Sequence, residues 1–372
     1  MTFHASETMQ GGHKPPTARR CRPPGSAWVL AALAAVTFLA ACGNRDDRAT
    51  SAHDRLAPLP VAVDSVTVSG LSAGGYMAVQ FHVAHSSLVS GAGIFAGGPY
   101  YCAENSLRYA LGQCMQGDEP IATDELISLT SRLALDGIVD PIAGLAGDRV
   151  WMFHGGADPV VARPVADALE AYYQALVDPR AVKRVEIAAA GNIFPGNSSE
   201  LAACGATEEP FVGNCGLDGA RQMLEYLYGR FSPGTTAPEA GELRQFKQSP
   251  YADAMRAPGL AATGYVYVPA ACAGDGAPGR CRLHVYFHGC KQGASYVKDA
   301  FIRRSGFLAA ADAGNVVVLF PQVEPSYQPL NPNGCWDWWG YTGEAYATQQ
   351  GPQVMAVKLM VDDLLGAGTP AQ

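Results

Sequence analysis

Apolar and polar residues alternate along Val61–Gly70, "VAVDSVTVSG", with the two-residue period of a half-buried strand rich in β-branched residues. The stretch from Gly75 to Ser87, "GYMAVQFHVAHSS", repeats its apolar residues at helical spacing, so a strand, a tight Gly-rich turn and a helix are predicted in succession. Short apolar runs predict further strands at "GAGIFAGG" (91–98), "RVWMFHGG" (149–156), "KRVEIAAAG" (183–191), "GYVYVPA" (264–270), "RLHVYFHGC" (282–290) and "NVVVLFPQ" (315–322). Amphipathic spacing predicts helices at 164–177, 217–230, 301–314 and 353–366. Strands of this length alternating with helices indicate an α/β fold, a mainly parallel sheet flanked by helices. The stretch 231–250, "FSPGTTAPEAGELRQFKQSP", reads as a loop-like excursion within one domain rather than a linker between two.

Ahead of this pattern the character changes. Lys14, Arg19, Arg20 and Arg22 precede the apolar run "AWVLAALAAVTFLAAC", which is too short for a comfortable membrane span and reads as an export signal that is removed. It ends in Leu39-Ala40-Ala41-Cys42, the form of a lipobox, which predicts cleavage before Cys42 and lipid attachment there; a plain signal peptide with an incidental cysteine is the alternative. Residues 43–60 are polar and Pro-bearing and are expected to tether that anchor to a single domain over 61–372, ordered from about Val61.

The formal charge of -8 excludes nucleic acid as a partner, because phosphate binding is driven by clustered Lys and Arg. Removal of residues 1–42 takes four basic residues and one acidic one with it, leaving 22 basic and 33 acidic in an acidic exported domain. Eight cysteines follow Cys42 in neighbouring couples: Cys102 with Cys114, Cys204 with Cys215, Cys272 with Cys281, and Cys290 with Cys335. An even count in an exported chain implies a disulfide framework. Spacing alone does not choose among connectivities, and neighbour pairing is the expectation adopted. With no short C-x-x-C pair, zinc is not expected.

Gly70-Leu71-Ser72-Ala73-Gly74 is G-x-S-x-G between a predicted strand and a predicted helix, the context of a nucleophile elbow, with Ser72 as candidate nucleophile. "RVWMFHGGADPVV" delivers Asp158 just after a strand, where the acid of such a site belongs. "RLHVYFHGC" has the form of an oxyanion strand and turn, the peptide N–H of Cys290 donating beside that of Ala73. It follows the serine instead of preceding it. Joining the C-terminal helix to Val61 restores the usual order, so a circularly permuted, disulfide-stapled α/β-hydrolase is predicted. Trp336, Trp338, Trp339 and Tyr341 cluster in "NPNGCWDWWGYTGEAYA" and are candidates for an apolar substrate wall.

Taken together, "GLSAGGYMAVQFHVAHSS", "VWMFHGGADPVV", "CGATEEPFVGNCG", "GYVYVPAAC", "RLHVYFHGC", "VVVLFPQ" and "NPNGCWDWWGYTG" resemble the secreted poly(3-hydroxybutyrate) depolymerases of the single-domain, circularly permuted type, from about Val61 to Leu365. The resemblance implies a serine-type ester hydrolase acting on short-chain hydroxyalkanoate polyester or its oligomers, without metal or organic cofactor, and expected to be monomeric. Membrane contact would come only through the lipid anchor. It also assigns Ser72 as nucleophile, Asp158 as acid, and Ala73 and Cys290 as oxyanion donors. One position departs. Where the family carries its catalytic histidine in Gly-His-x-Phe-Pro, this chain reads Gly191-Asn192-Ile193-Phe194-Pro195, and the amide of Asn192 has no useful basicity at neutral pH. His82, His85, His154 and His288 are the substitutes the sequence offers. The expectation is therefore a weak esterase, with a catalytically dead surface-binding protein for polymer or oligomers, or an esterase for acylated polysaccharide, as alternatives.

Overall fold

A computed structural model describes residues 55–231, 240–274 and 281–367. The export segment 1–42, the lipidation candidate Cys42 and residues 43–54 of the tether lie outside the described residues.

In chain order the elements are β1 (Val61–Leu71), α1 (Ala73–Ala84), β2 (Val89–Phe95), α2 (Leu107–Leu111), α3 (Thr123–Leu135), β3 (Arg149–Gly155), α4 (Arg163–Leu176) and β4 (Val182–Ile187). Three short strands follow, β5 (Phe194–Gly196), β6 (Ala202–Ala203) and β7 (Val212–Asn214), then α5 (Gly219–Tyr228), β8 (Glu242–Lys247), α6 (Ser249–Met255), β9 (Thr263–Val268) and β10 (Cys281–Phe287). The chain continues with α7 (Ala294–Val297), α8 (Ala300–Arg304), α9 (Phe307–Gly314), β11 (Val316–Phe320), β12 (Ser326–Tyr327), β13 (Leu330–Asn331) and α10 (Pro352–Leu364).

Eight strands form one sheet in the order β4-β3-β2-β1-β10-β11-β9-β8. The run from β4 to β11 is parallel, and β9 and β8 add an antiparallel edge. The period-2 pattern is realised along each strand. Val317 and Leu319 of β11 enter the core layer beneath α1 and α10, while Val316 and Val318 enter the opposite layer beneath α5 and α9. Because both faces of the central strands are covered, Thr67 and Ser69 of β1 are fully buried, and their hydroxyls need partners. His284 of the neighbouring strand supplies both, Nδ1 lying 2.7 Å from the Thr67 hydroxyl and Nε2 2.7 Å from that of Ser69. Burial holds this imidazole neutral, its pKa lowered to about 3. The stitch favours the register that sets Thr67 opposite His284.

Strands late in sequence, β10 and β11, lie beside the first, as the rotated order requires. The two ends of the described chain also meet. Residues 55–60, counted with the tether on sequence grounds, are held against α10 and its neighbours. The Arg55 guanidinium pairs with Asp363 at 2.7 and 2.6 Å, the Leu56 N–H donates to the Tyr251 hydroxyl at 2.8 Å, and the Leu59 N–H donates to the Leu364 carbonyl at 2.9 Å. Polar composition suggested a tether, but these groups find buried partners.

Three further expectations are corrected. The excursion 231–250 contains β8, whose alternation is masked by charge because an edge strand needs only its backbone ladder to β9. The helix predicted over 301–314 is broken into α8 and α9 at Gly306, where φ is 84°. Helix α3 was not anticipated. All four disulfides join the neighbouring cysteines as expected.

Candidate active site

β1 ends at Leu71 and α1 begins at Ala73, so Ser72 alone makes the turn between them. Its φ of 55° and ψ of -121° lie outside the regions an L-residue readily adopts, a strain of about 1–3 kcal/mol that the packed surroundings must hold. The glycines explain how the turn closes. A Cβ on Gly70 would stand 2.1 Å from the Gly74 carbonyl oxygen, and one on Gly74 would stand 2.0 Å from that of Phe287. From Val66 to Ser86 every residue is buried except Ser72, and its hydroxyl makes no capping bond to the helix it precedes. The helix N-terminus beside it favours negative charge.

The turn after β10 lies directly against this elbow, since a Cβ added to Gly289 would be 3.6 Å from that of Ser72. His288 Nε2 accepts the Val323 N–H at 3.0 Å, so Nδ1 carries the proton and donates to the Gly289 carbonyl at 2.8 Å. Among the described residues the N–H groups of Ala73 and Cys290 have no acceptor. Two free donors thus flank Ser72.

β3 delivers Asp158 two strands away at the same edge of the sheet. Its Oδ1 accepts the N–H groups of Val160 and Val161 at 2.7 and 2.9 Å, and its Oδ2 accepts Asn192 Nδ2 at 2.8 Å. Burial raises the pKa of Asp158, against the pull of those three hydrogen bonds. The segment bearing Asn192 is held from behind by the loop that Cys204–Cys215 closes: the Gly191 N–H donates to the Cys204 carbonyl and the Asn192 N–H to the Thr207 hydroxyl, each at 3.0 Å. Tyr76, one turn beyond Ser72, donates its hydroxyl to the Cys114 carbonyl. Burial raises its pKa, and the charge of Asp158 adds to the shift.

None of the four histidines offered by the sequence stands in for a base. His288 uses both nitrogens in the turn. His82 lies between Asp148 and the Tyr173 hydroxyl at 2.9 and 3.1 Å, buried beneath α1. His85 lies at the far end of α1 beside Asp140 and Lys358, its pKa lowered to about 4, chiefly by burial. His154 follows Val150 and Met152 to the sheet face away from Phe153, and burial lowers its pKa despite nearby Asp158.

The aromatic cluster divides. Trp338 stacks on Tyr76 with centroids 4.1 Å apart, Trp339 meets Trp338 edge-on at 5.8 Å, and both line a cavity of about 310 Å³. Leu107, Leu111, Met115, Leu330 and the Cys290–Cys335 disulfide complete its walls. Trp336 is not on that wall. It is fully buried, edge-on to Phe287 at 5.0 Å. Tyr341 is a brace: its hydroxyl donates to the Cys335 carbonyl at 2.8 Å and accepts from Gln353 and Asn331 at 2.8 and 3.1 Å. Sequence reasoning missed Asp337, whose buried carboxylate gathers the N–H groups of Trp339, Gly340, Tyr341 and Thr342 and so shapes the loop. It also missed Tyr76 and Gln292, the latter lying in the polar, Gly-bearing stretch "CKQGAS", where no pattern marks its burial.

No family model matches the chain. The poly(3-hydroxybutyrate) depolymerase of Delftia acidovorans is 39% identical over 336 residues, which are 90% of this chain but only 65% of that protein. The polyhydroxybutyrate depolymerase of Talaromyces funiculosus is 34% identical over 334 residues, 87% of this chain and 94% of the relative. Among solved structures, the crystal structure of PHB depolymerase from Penicillium funiculosum superposes with a TM-score of 0.77 at 32% identity, over 85% of this chain and all of that one. A serine-to-alanine variant of PHB depolymerase complexed with an R3HB trimer superposes equally well, with 31% identity and the same coverage.

Proposed function

The chain belongs to the family of polyhydroxybutyrate depolymerases, and from that membership we propose that it is a serine-type ester hydrolase site for hydroxyalkanoate polyester or its oligomers, working slowly because Asn192 stands at the base position. The observation that carries this reading is the hydrogen bond from Asn192 to Asp158. The amide donates to the acid just as an imidazole Nδ1–H would, so the pair keeps its orientation and lacks only the basic nitrogen.

In this scheme the Ser72 oxygen attacks the ester carbonyl, and the developing oxyanion is met by the N–H groups of Ala73 and Cys290 at the positive end of α1. Trp338 and Trp339 take the acyl chain along the apolar cavity. The proton of Ser72 must leave to solvent, since an amide cannot hold it. Loss of the base in a comparable triad costs roughly a millionfold in turnover, while the oxyanion hole and binding retain about 10³–10⁴ over water. Four disulfides suit an exported protein. Removal of the signal, a lipid on Cys42 and a monomeric state complete the proposal.

The test is hydrolysis of p-nitrophenyl butyrate and of a hydroxybutyrate trimer by the chain as it stands, by Asn192→His and by Ser72→Ala. Expected are feeble turnover, a gain of at least about a hundredfold, and none, respectively. Brisk turnover that survives Ser72→Ala overturns the assignment. Trimer binding with no gain in Asn192→His assigns the site instead to capture of polymer or oligomers.

A further inference from the structure

Gln292 is buried to 2% exposure in the turn that follows β10, and every polar atom of its side chain is used. Its Oε1 accepts the Gly289 N–H at 2.8 Å and the Tyr286 hydroxyl at 3.1 Å, and its Nε2 donates to the Pro210 carbonyl at 3.3 Å. An N–H can only donate and a carbonyl can only accept, so the two backbone partners fix which end of the amide faces which. On the other side of Gly289, the carbonyl accepts from His288 Nδ1. Both peptides around Gly289 are thereby pinned, and the next N–H along, that of Cys290, is the one left without a partner beside Ser72. The far partner matters as much. Pro210 belongs to the loop closed by Cys204–Cys215, whose Thr207 and Cys204 hold the backbone of Asn192 and Gly191.

We propose that Gln292 is a positioning residue that aims the Cys290 amide at the oxyanion and links that turn to the loop that backs the base position. It rests on the reading of Ser72 and its two donors given above. Gln292 touches no substrate. It sets the plane of a peptide that does, and it joins two segments 82 residues apart in sequence across a single side chain.

A boronic acid separates this role from simple packing. When butaneboronic acid binds, the Ser72 oxygen forms a bond to boron, the hydroxyl proton passes to solvent, and boron becomes a tetrahedral anion that draws on the oxyanion donors. The ester carbonyls of a hydroxybutyrate trimer, uncharged until attacked, make much less use of them. Removal of a whole oxyanion donor costs about 10²–10³ in rate, so misaiming one is expected to weaken boronate binding by about ten- to a hundredfold in Gln292→Met. Trimer affinity should stay within about twofold. In the unaltered protein, hydrogen exchange should find the Gly289 amide protected and the Cys290 amide open, the latter becoming protected when the boronate binds. Equal losses for boronate and trimer, no loss for either, or a Gly289 amide that exchanges as fast as that of Cys290 overturns the proposal. A natural chain that binds the trimer but takes no boronate overturns the Ser72 reading itself.

Discussion

The sheet and the loops above its carboxyl ends are held together by different means. In the sheet, apolar residues alternate into two covered layers, and the buried polar groups of β1 and β10 satisfy one another without help from the loops. Above it there is little regular structure, and covalent links take over. Cys102–Cys114 ties the wall that bears α2, Cys290–Cys335 ties the oxyanion turn to the tryptophan loop, and Cys204–Cys215 ties the loop behind Asn192. Only Cys272–Cys281, which leads into β10, lies at the other end. Short closed loops of this kind contribute on the order of 3 kcal/mol each in the chain-entropy picture, which suits segments too irregular to be fixed by a core. Geometry that must be exact for chemistry is thus carried by loops, and the sheet supplies their footing.

The contrast can be broken most forcefully by acid. His284, His85 and His288 are buried neutral, with pKa values lowered to about 3, about 4 and about 4 from the ordinary 6.5. Because the folded values lie below the unfolded one, the unfolded chain binds more protons between them; this contribution is complete above pH 6.5 and is lost as pH falls toward 4. Unfolding at pH 5 should therefore take up about three protons through these side chains. Denaturant titrations at pH 7 and pH 5 measure this, and equal stability at both values would refute the assignment of neutral buried imidazoles.

Next in size, Trp336→Ala should cost about 3–5 kcal/mol, since it empties a fully buried site against Phe287. Its neighbour on the other side of the same loop behaves differently. Trp339→Ala should shift stability by under about 1 kcal/mol while weakening trimer binding several-fold, as measured by thermal unfolding and calorimetric titration. Similar losses of stability for the two variants would erase the distinction between floor and rim.

The same contrast explains what could be read from sequence. The central strands announce themselves because burial on both faces leaves short apolar runs, the flanking helices because burial on one face leaves a helical period, and the elbow at Ser72 by its G-x-S-x-G motif. Neighbour pairing of the cysteines is an expectation that spacing alone does not decide, and the structure has it at all four bridges. The loops carry no such period. Nothing in "CWDWWGY" separates Trp336, packed on Phe287, from Trp338 and Trp339 on the cavity wall, because the loop is shaped by Asp337 gathering four amides, a contact between residues and not a pattern along them. β8 escaped notice because an edge strand is chosen by backbone pairing. The importance of Asn192 was legible only by resemblance, and its hydrogen bond to Asp158 became visible in space.

β1 makes a single pass from the pinned start of the described chain to Ser72, eleven residues that at 3.3 Å each span roughly 35 Å. The strand therefore carries the chain from the pole where Arg55 meets Asp363 to the pole where the cleft opens, so the pairing of the described ends and the chemistry at Ser72 lie at opposite limits of one element.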